Sequence, residues 1–243
     1  MNGVKFAKTL AGVLAASFML ALTGCLYPED RTPGADASAR EAVMTVQDSV
    51  DRYRERTELL PIQNADETVP VYEKYKIDFG KLKRMGYIAE VPKIAFESGG
   101  SYQFLIIDEE TNPTVKMLDL VVFQAAADVQ RKVDEYRRAN GNRNPSGDEA
   151  YEGFSWIDFG KLGMKAPEAR SMYSRQPLSW IVDGQGTVYA DYAIDVATAL
   201  EKTGKRPGAG EDLRTALVEA SYYVPVRSPA YRLIDGDPLP VRP

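Results

Sequence analysis

The sequence contains no histidine and a single cysteine, Cys25. The absence of histidine excludes Ser-His-Asp and Cys-His nucleophilic catalysis, and it removes the residue on which most zinc sites depend. A single cysteine also excludes a disulfide bond within the chain, so the folded part must rely on its hydrophobic core. We therefore expect neither a metal ion nor a cofactor.

The chain also lacks a hydrophobic run long enough to span a bilayer near its N-terminus. The apolar stretch there covers residues 9–22, whereas a spanning helix takes about 20 residues. It follows Lys5 and Lys8 and ends in small residues, which is typical of a secretory signal. Residues 1–24 are therefore predicted to be a signal peptide.

The end of this stretch, Leu22-Thr23-Gly24-Cys25, resembles the lipobox of bacterial lipoproteins. In that family the cysteine thiol receives a diacylglyceryl group, and the signal is cut just before the cysteine. The resemblance implies that Cys25 is a lipidation site carrying fatty acyl chains such as palmitate, and two such chains hold a protein stably on a membrane. The alternative is a plain signal peptide or a buried helix with an incidental cysteine.

The charge balance is acidic, with a formal net charge of −5. Cleavage before Cys25 would remove Lys5 and Lys8 and no acidic residue, and this would take the net charge to −7. An acidic surface argues against nucleic acid as a partner and against electrostatic docking on anionic lipid. Membrane affinity would therefore depend on the lipid at Cys25.

The segment after the cysteine has the composition of a tether. Residues 25–39 are rich in proline and acidic side chains and are predicted to be a flexible, lipidated tether. A helix is predicted from about Asp36 to Glu58, because Val43, Val46 and Val50 recur at helical spacing. Residues 40–70 are assigned to this N-terminal helix and a connector.

An internal repeat is the second informative feature. The hexapeptide Ile-Asp-Phe-Gly-Lys-Leu occurs at residues 77–82 and again, identical, at 157–162. Further matches keep the same order, such as Thr114-Val115 with Thr187-Val188. Such ordered similarity indicates duplication, with loop deletions between the copies.

Each copy is interpreted as a β-turn/helix-ββ-α unit, so the predicted fold class is α+β. The two tandem copies are expected to share one core, because units this small rarely fold alone. The predicted boundaries are 71–140 for the first copy, 141–150 for a linker and 151–204 for the second copy. Strands are predicted at residues 102–107, 114–122, 179–182 and 187–193, and closing helices at 123–138 and 196–202.

The C-terminal part, residues 205–243, is predicted to hold one helix and an extended tail. The helix is expected at about residues 211–221. Alternating aromatic residues and prolines from Tyr222 onwards favour an arm lying on the domain, and residues 235–243 are expected to be loose.

Asp78 and Asp158 occupy equivalent places in the two copies and form a candidate pair. The functional interpretation is two carboxylates at a pseudo-symmetric cleft, for glycan hydrolysis or cation binding. The structural interpretation is that each aspartate caps the turn or helix after it, inherited twice from one ancestor. A duplication favours the structural interpretation, because catalytic pairs diverge into acid and base roles.

Other motifs carry weaker signals. The Asp-Gly-Gln-Gly sequence at 183–186 and the Asp-Gly-Asp sequence at 235–237 lack the spacing of an EF-hand, and the first favours a hairpin turn. The aromatic residues form a candidate binding surface, although most are expected in the core. This set is Tyr72, Tyr75, Tyr87, Tyr102, Tyr151, Phe154, Trp156, Tyr173, Trp180 and Tyr192.

Residues 72–79 and 112–120 are similar to segments of exported lipoproteins from spore-forming Gram-positive bacteria, a family without an assigned activity. The resemblance implies a position on the outer face of the cytoplasmic membrane. The leading hypothesis is a non-enzymatic binding or adaptor module of the cell envelope, whose partner is an envelope protein or a wall polymer. The alternatives are a carboxylate-dependent enzyme acting on wall glycan, through Asp78 and Asp158, and a structural spacer.

Overall fold

The computed structural model describes residues 37–204, 206–208 and 210–242. The predicted signal peptide, Cys25 and residues 26–36 of the tether lie outside these ranges. The helices of the described part are α1 (Ala37–Thr57), α2 (Phe79–Arg84), α3 (Leu120–Ala139), α4 (Ala193–Thr203) and α5 (Arg214–Glu219), with 3₁₀ helices at Val71–Glu73 and Phe96–Ser98. The strands there are β1 (Tyr75–Lys76), β2 (Tyr102–Ile107), β3 (Thr114–Asp119), β4 (Ser146–Tyr151), β5 (Phe154–Ile157), β6 (Ser179–Asp183), β7 (Val188–Asp191), β8 (Ala230–Ile234) and β9 (Asp237–Val241).

The strands pair in antiparallel sheets, so the predicted α+β class is confirmed. The first sheet has the order β1-β2-β3, the second has the order β4-β5-β6-β7, and the third is the hairpin β8-β9. The first sheet lies within the predicted first copy, and the second sheet spans the predicted linker and the predicted second copy. None of the helices in the described part has the length and hydropathy that a membrane span requires.

Helix α1 forms where the valine spacing predicts it. Val43, Val46, Val50 and Tyr53 are buried on one face, and the helix lies against β3 of the first sheet. Their spacing of three and four residues places them on one stripe of the helix. The N-terminal helix is thus part of the core of the first sheet.

The boundary between β3 and α3 differs from the prediction. Strand β3 ends at Asp119 and α3 begins at Leu120, three residues before the predicted start. The cause is Asp119, whose Oδ1 accepts hydrogen bonds from the backbone N–H of Val121 at 2.7 Å and of Val122 at 3.4 Å. An aspartate in this position caps a helix, and it stops the strand despite the β-branched residues that follow.

The segment expected as a linker, residues 141–150, contains most of a strand instead. Strand β4 begins at Ser146 and pairs with β5 across the turn Glu152-Gly153. Gly153 has a φ of +80°, which glycine adopts without steric strain. The polar composition of β4 gave no strand signal. This strand lies at the edge of its sheet, and none of its residues is buried.

The C-terminal end is also ordered where a loose tail was expected. Strands β8 and β9 form a hairpin whose turn residues Asp235 and Gly236 have φ values of +53° and +96°. Tight two-residue hairpins require positive φ at these positions. Pro238 and Pro240 lie in β9, which is an edge strand on which proline is tolerated.

The first sheet is buried on both faces. Phe104 and Ile106 contribute to a cluster with α1, whereas Leu105 and Ile107 belong to a second cluster. This division follows from the alternation of side chains along a strand. The second cluster also contains Trp180 of the second sheet, so both sheets contribute to one hydrophobic cluster.

The predicted C-terminal arm is present and contacts both sheets. The backbone N–H of Met117 in β3 donates to the carbonyl of Tyr222 at 2.9 Å, and Val224 N–H donates back to Met117 at 3.0 Å. The N–H of Ala190 in β7 donates to the carbonyl of Arg227, also at 2.9 Å. Residues 222–227 therefore pair with an edge strand of each sheet.

Two glutamines make the same contacts in the two halves. Gln47 of α1 donates to the Pro113 carbonyl at 3.1 Å and accepts from Val115 N–H at 2.7 Å. In the same way, Gln130 of α3 donates to Gly186 at 2.8 Å and accepts from Val188 N–H at 2.8 Å. Each glutamine thus holds a hairpin against a helix.

These matched contacts bear on the order of elements in the predicted unit. Helix α3 packs on β7 of the second sheet, as α1 packs on β3 of the first. The sequence interpretation assigned α3 to the end of the first copy. The contacts favour a unit that begins with the helix, running from α1 to β3 and then from α3 to β7, and the duplication itself stays a prediction.

We predict that Gln47→Ala and Gln130→Ala each lower the free energy of unfolding by about 2 kcal/mol, because each leaves a backbone N–H and a carbonyl without their partner. Urea unfolding followed by circular dichroism measures the change. Gln176 is exposed and its backbone carbonyl accepts from Ser171, so Gln176→Ala serves as the control. Equal stability of all three variants would contradict the proposed role of Gln47 and Gln130 in holding each hairpin against its helix.

Candidate functional site

The structure places Asp78 and Asp158 in capping and turn contacts. Asp78 is the N-cap of α2, and its Oδ1 accepts from Lys81 N–H at 2.8 Å. Asp158 Oδ1 accepts from Lys161 N–H at 3.2 Å, and its Oδ2 lies 3.6 Å from Lys161 Nζ. Both carboxylates are engaged locally, as the structural interpretation of the pair predicts.

The backbone of each aspartate is used in the same way. Asp78 N–H donates to the Pro61 carbonyl and Asp158 N–H to the Pro145 carbonyl, both at 2.8 Å. Neither aspartate lines the cavities described below. The geometry therefore gives no support to a catalytic cleft built on this pair.

The acidic turn at Asp183 is a hairpin turn, as the glycines indicated. Asp183 Oδ1 accepts from the N–H groups of Gln185 at 2.9 Å and Thr187 at 2.8 Å. Its Oδ2 accepts from the Tyr189 hydroxyl at 3.2 Å. Across the described ranges, no three histidine, cysteine, aspartate or glutamate side chains are grouped so as to hold a metal ion.

Three of the ten candidate aromatic residues are buried, and five more are partly buried against the hydrophobic clusters. Trp180 and Tyr192 are buried, and Tyr173 packs edge-on against Tyr192 with ring centroids 5.8 Å apart. Of the ten, Trp156 alone is classed as exposed, and it lies 6.0 Å from the Tyr151 ring. A continuous aromatic surface is therefore not formed by this set.

A tyrosine pair connects the second sheet to the C-terminal hairpin. The hydroxyls of Tyr151 and Tyr231 each donate to Asp191, to Oδ2 and Oδ1 respectively, at 2.7 Å. Burial, followed by the nearby Asp191 charge, raises the pKa of both tyrosines. Both phenols therefore stay protonated and act as structural donors.

Lys116 is a buried lysine with a structural contact. Its Nζ donates to the carbonyls of Val218 at 2.6 Å and Ser221 at 2.5 Å, near the C-terminal end of α5. Burial lowers the pKa of Lys116 to about 8. Because two carbonyls hold its ammonium group, this lysine fastens α5 to β3 and is not free to act as a nucleophile.

Two cavities adjoin Arg227 at the end of the arm. The first, called the apolar cavity, has a volume of about 320 Å³. The second, called the basic cavity, has a volume of about 270 Å³. The apolar cavity is lined by Thr68, Val69, Pro70, Glu73, Lys76, Gln103, Leu118, Leu120, Phe123 and Arg227. The basic cavity is lined by Ala126, Ala127, Gln130, Arg131, Asp134, Arg138, Val188 and Arg227.

Arg227 is fixed from several directions. Its N–H donates to Glu73 Oε1 at 3.1 Å, and its Nε lies 3.6 Å from Glu73 Oε2. Its guanidinium carbon is 4.6 Å from the centre of the Phe123 ring, a cation–π contact. Its Nε is buried and has no hydrogen-bond partner among the described residues, while the side chain as a whole is 37% exposed.

Chemically, this arrangement presents a positioned guanidinium between an apolar and a basic cavity. Glu73 is almost fully buried, so its ion pair with Arg227 holds the arginine in place. A guanidinium offers several donors in a planar fork and favours carboxylate or phosphate groups. The site is suited to binding an anionic group.

Sequence reasoning missed Arg227. Its main partner, Glu73, is 154 residues away in the chain, and no local spacing connects them. The available signal was a single arginine after an apolar run, Tyr223-Val-Pro-Val, in an arm expected to lie on the domain.

We predict that Asp78→Ala lowers the free energy of unfolding by about 1 kcal/mol, the usual value of an N-cap. Asp78→Asn should keep most of the stability, because an asparagine oxygen also accepts from the Lys81 N–H. Thermal unfolding of the matched pair tests the capping role. Equal destabilisation by both changes would show that the charge, and not the cap, matters at this position.

A comparison with models of protein families finds a match in the N-terminal part of the chain. Residues 39–119, about a third of the chain, match the model of the YphF family N-terminal domain. No curated protein and no solved structure matches the chain. The match begins inside α1 and ends at Asp119, where β3 ends, so it covers the first sheet with its helix. The described part of this protein thus opens with a segment similar to the YphF family N-terminal domain.

Proposed function

We propose that this protein is a lipoprotein of the cell envelope whose folded part is a non-enzymatic binding module. Cys25 carries the lipid, with acyl chains such as palmitate, and holds the protein on the outer face of the cytoplasmic membrane of a Gram-positive bacterium. The partner is an envelope protein or a wall polymer. The anchor is supported by the signal-like leader and the lipobox-like Leu22-Thr23-Gly24-Cys25.

The observation that carries the binding role is the pair of cavities that share Arg227. A cavity of about 300 Å³ with a few convergent polar groups is the usual form of a ligand site. The carboxylates that a glycan hydrolase would need, Asp78 and Asp158, are engaged with backbone N–H groups. The cavities at Arg227 therefore support a binding role more than Asp78 and Asp158 support a glycan hydrolase.

We predict that Cys25→Ala releases the protein from the membrane, because the acidic domain has no strong electrostatic affinity for anionic lipid. Cell fractionation and metabolic labelling with a fatty acid measure the anchor. Wild type and a Thr32→Ala control should be labelled and membrane-bound, and Cys25→Ala should be neither. Continued membrane attachment of Cys25→Ala would contradict the lipid anchor.

The binding role is tested by crosslinking in living cells, with mass spectrometry of the crosslinked material. A reproducible envelope protein or wall fragment is the expected result for the wild type. If direct binding assays then find no affinity for any envelope protein or wall polymer, the binding role is wrong. A spacer function would in that case be the better account.

A further inference from the structure

The walls around Arg227 are basic in an acidic protein. Arg227, Lys76, Arg131 and Arg138 line the two cavities, opposed by the acidic side chains of Glu73 and Asp134. The whole chain, in contrast, has a formal net charge of −5. Local charge of the opposite sign to the rest of the surface attracts an anionic ligand to this place.

The basic groups are accessible to such a ligand. Arg131 pairs with Asp128 at 2.9 Å and with Glu135 at 3.9 Å, but the arginine side chain is 60% exposed, and exposed pairs of this kind are weak and exchange readily. Arg138 makes no ion pair within the part of the chain that the structure describes. It lies two helical turns after Arg131, which separates the two positions by about 10 Å along α3.

The apolar cavity sets a second requirement. Its walls include Leu118, Leu120 and Phe123, beside Val69 and Pro70. A ligand that fills it must carry an apolar group, and the same ligand must reach Arg227 and the arginines of α3 with anionic groups. Polyol phosphate polymers have the charge without the apolar group, and neutral glycans have no charge.

We propose that the two cavities bind an acidic peptide segment of a partner protein, with an apolar side chain in the apolar cavity and carboxylates at Arg227, Arg131 and Arg138. This proposal rests on the binding role proposed above and names the ligand class for it. Charge complementarity supplies the attraction, and the shape and depth of the apolar cavity select the segment.

The test uses the full-length lipoprotein in neutral detergent micelles and fluorescence anisotropy. The probe is a fluorescein-labelled peptide with one phenylalanine followed by three glutamates spaced by glycine. Two control peptides replace the glutamates by glutamine or the phenylalanine by serine. A labelled glycerol phosphate oligomer represents the other class of anionic ligand.

The variants isolate the site from general charge effects. Arg131→Gln combined with Arg138→Gln removes two charges from the basic cavity. Arg54→Gln combined with Arg56→Gln removes two exposed charges from the last turn of α1 and is the matched control. Arg227→Gln is made together with Glu73→Gln, so that no buried carboxylate loses its partner, and thermal unfolding checks that each variant is folded.

We expect saturable binding of the acidic peptide that weakens about tenfold in each cavity variant and stays unchanged in the α1 control. Both control peptides should bind more weakly, and added salt should weaken the acidic peptide most. The proposal is overturned by the absence of saturable binding below about 1 mM, by equal binding to the cavity variants, or by tighter binding of the glycerol phosphate oligomer. If crosslinking in cells finds a direct partner whose binding ignores these variants, the binding role stands and this site is wrong.

Discussion

The arm at residues 222–227 is the connection on which the rest of the structure depends. It forms hydrogen bonds with Met117 of β3 and Ala190 of β7, each on an edge of its sheet. An uncovered edge leaves backbone N–H and carbonyl groups without partners and open to pairing with other chains. The arm forms hydrogen bonds with part of each edge and links the first sheet to the second, although the sheets share no strand.

The same arm builds the candidate site. The carbonyl of Arg227 accepts from Ala190, its N–H donates to Glu73, and its side chain lies on Phe123 of α3. Residues from the first sheet region, from α3 and from the C-terminal segment therefore meet at one arginine. Lys116 adds a further link, because its ammonium group holds the end of α5 just before the arm begins. The arm therefore contributes both to the link between the sheets and, through Arg227, to the walls of the two cavities.

The sequence predicted those elements whose cause is local. Strand β2 was predicted with its observed bounds, and α1 within one residue, because periodic hydrophobic residues are a local signal.

The start of α3 was missed because one side chain, Asp119, decides it against the β-branched residues that follow. Residues 235–243 were expected to be loose and the hairpin β8-β9 was missed, because proline is tolerated in a strand only where the strand lies at the edge of a sheet, which the local sequence does not reveal. The role of Arg227 could not be predicted from the sequence, because its partners come together only in the folded chain. Asp78 was selected as a candidate because its hexapeptide is repeated in the chain. The structure shows that the repeated aspartate is the N-cap of α2.

Native-state hydrogen exchange of the Met117 and Ala190 amides tests the central claim most directly. If the arm joins the two sheets, both amides open together, with opening free energies within about 1 kcal/mol of each other and close to that of global unfolding. The N–H of Gln176 lies in an exposed loop, where it donates to the Ser174 hydroxyl at 3.3 Å, and it serves as a reference that exchanges faster than the sheet amides. An Ala190 amide that opens more than about 2 kcal/mol more easily than Met117 would contradict the account. It would show that the arm belongs to the first sheet alone.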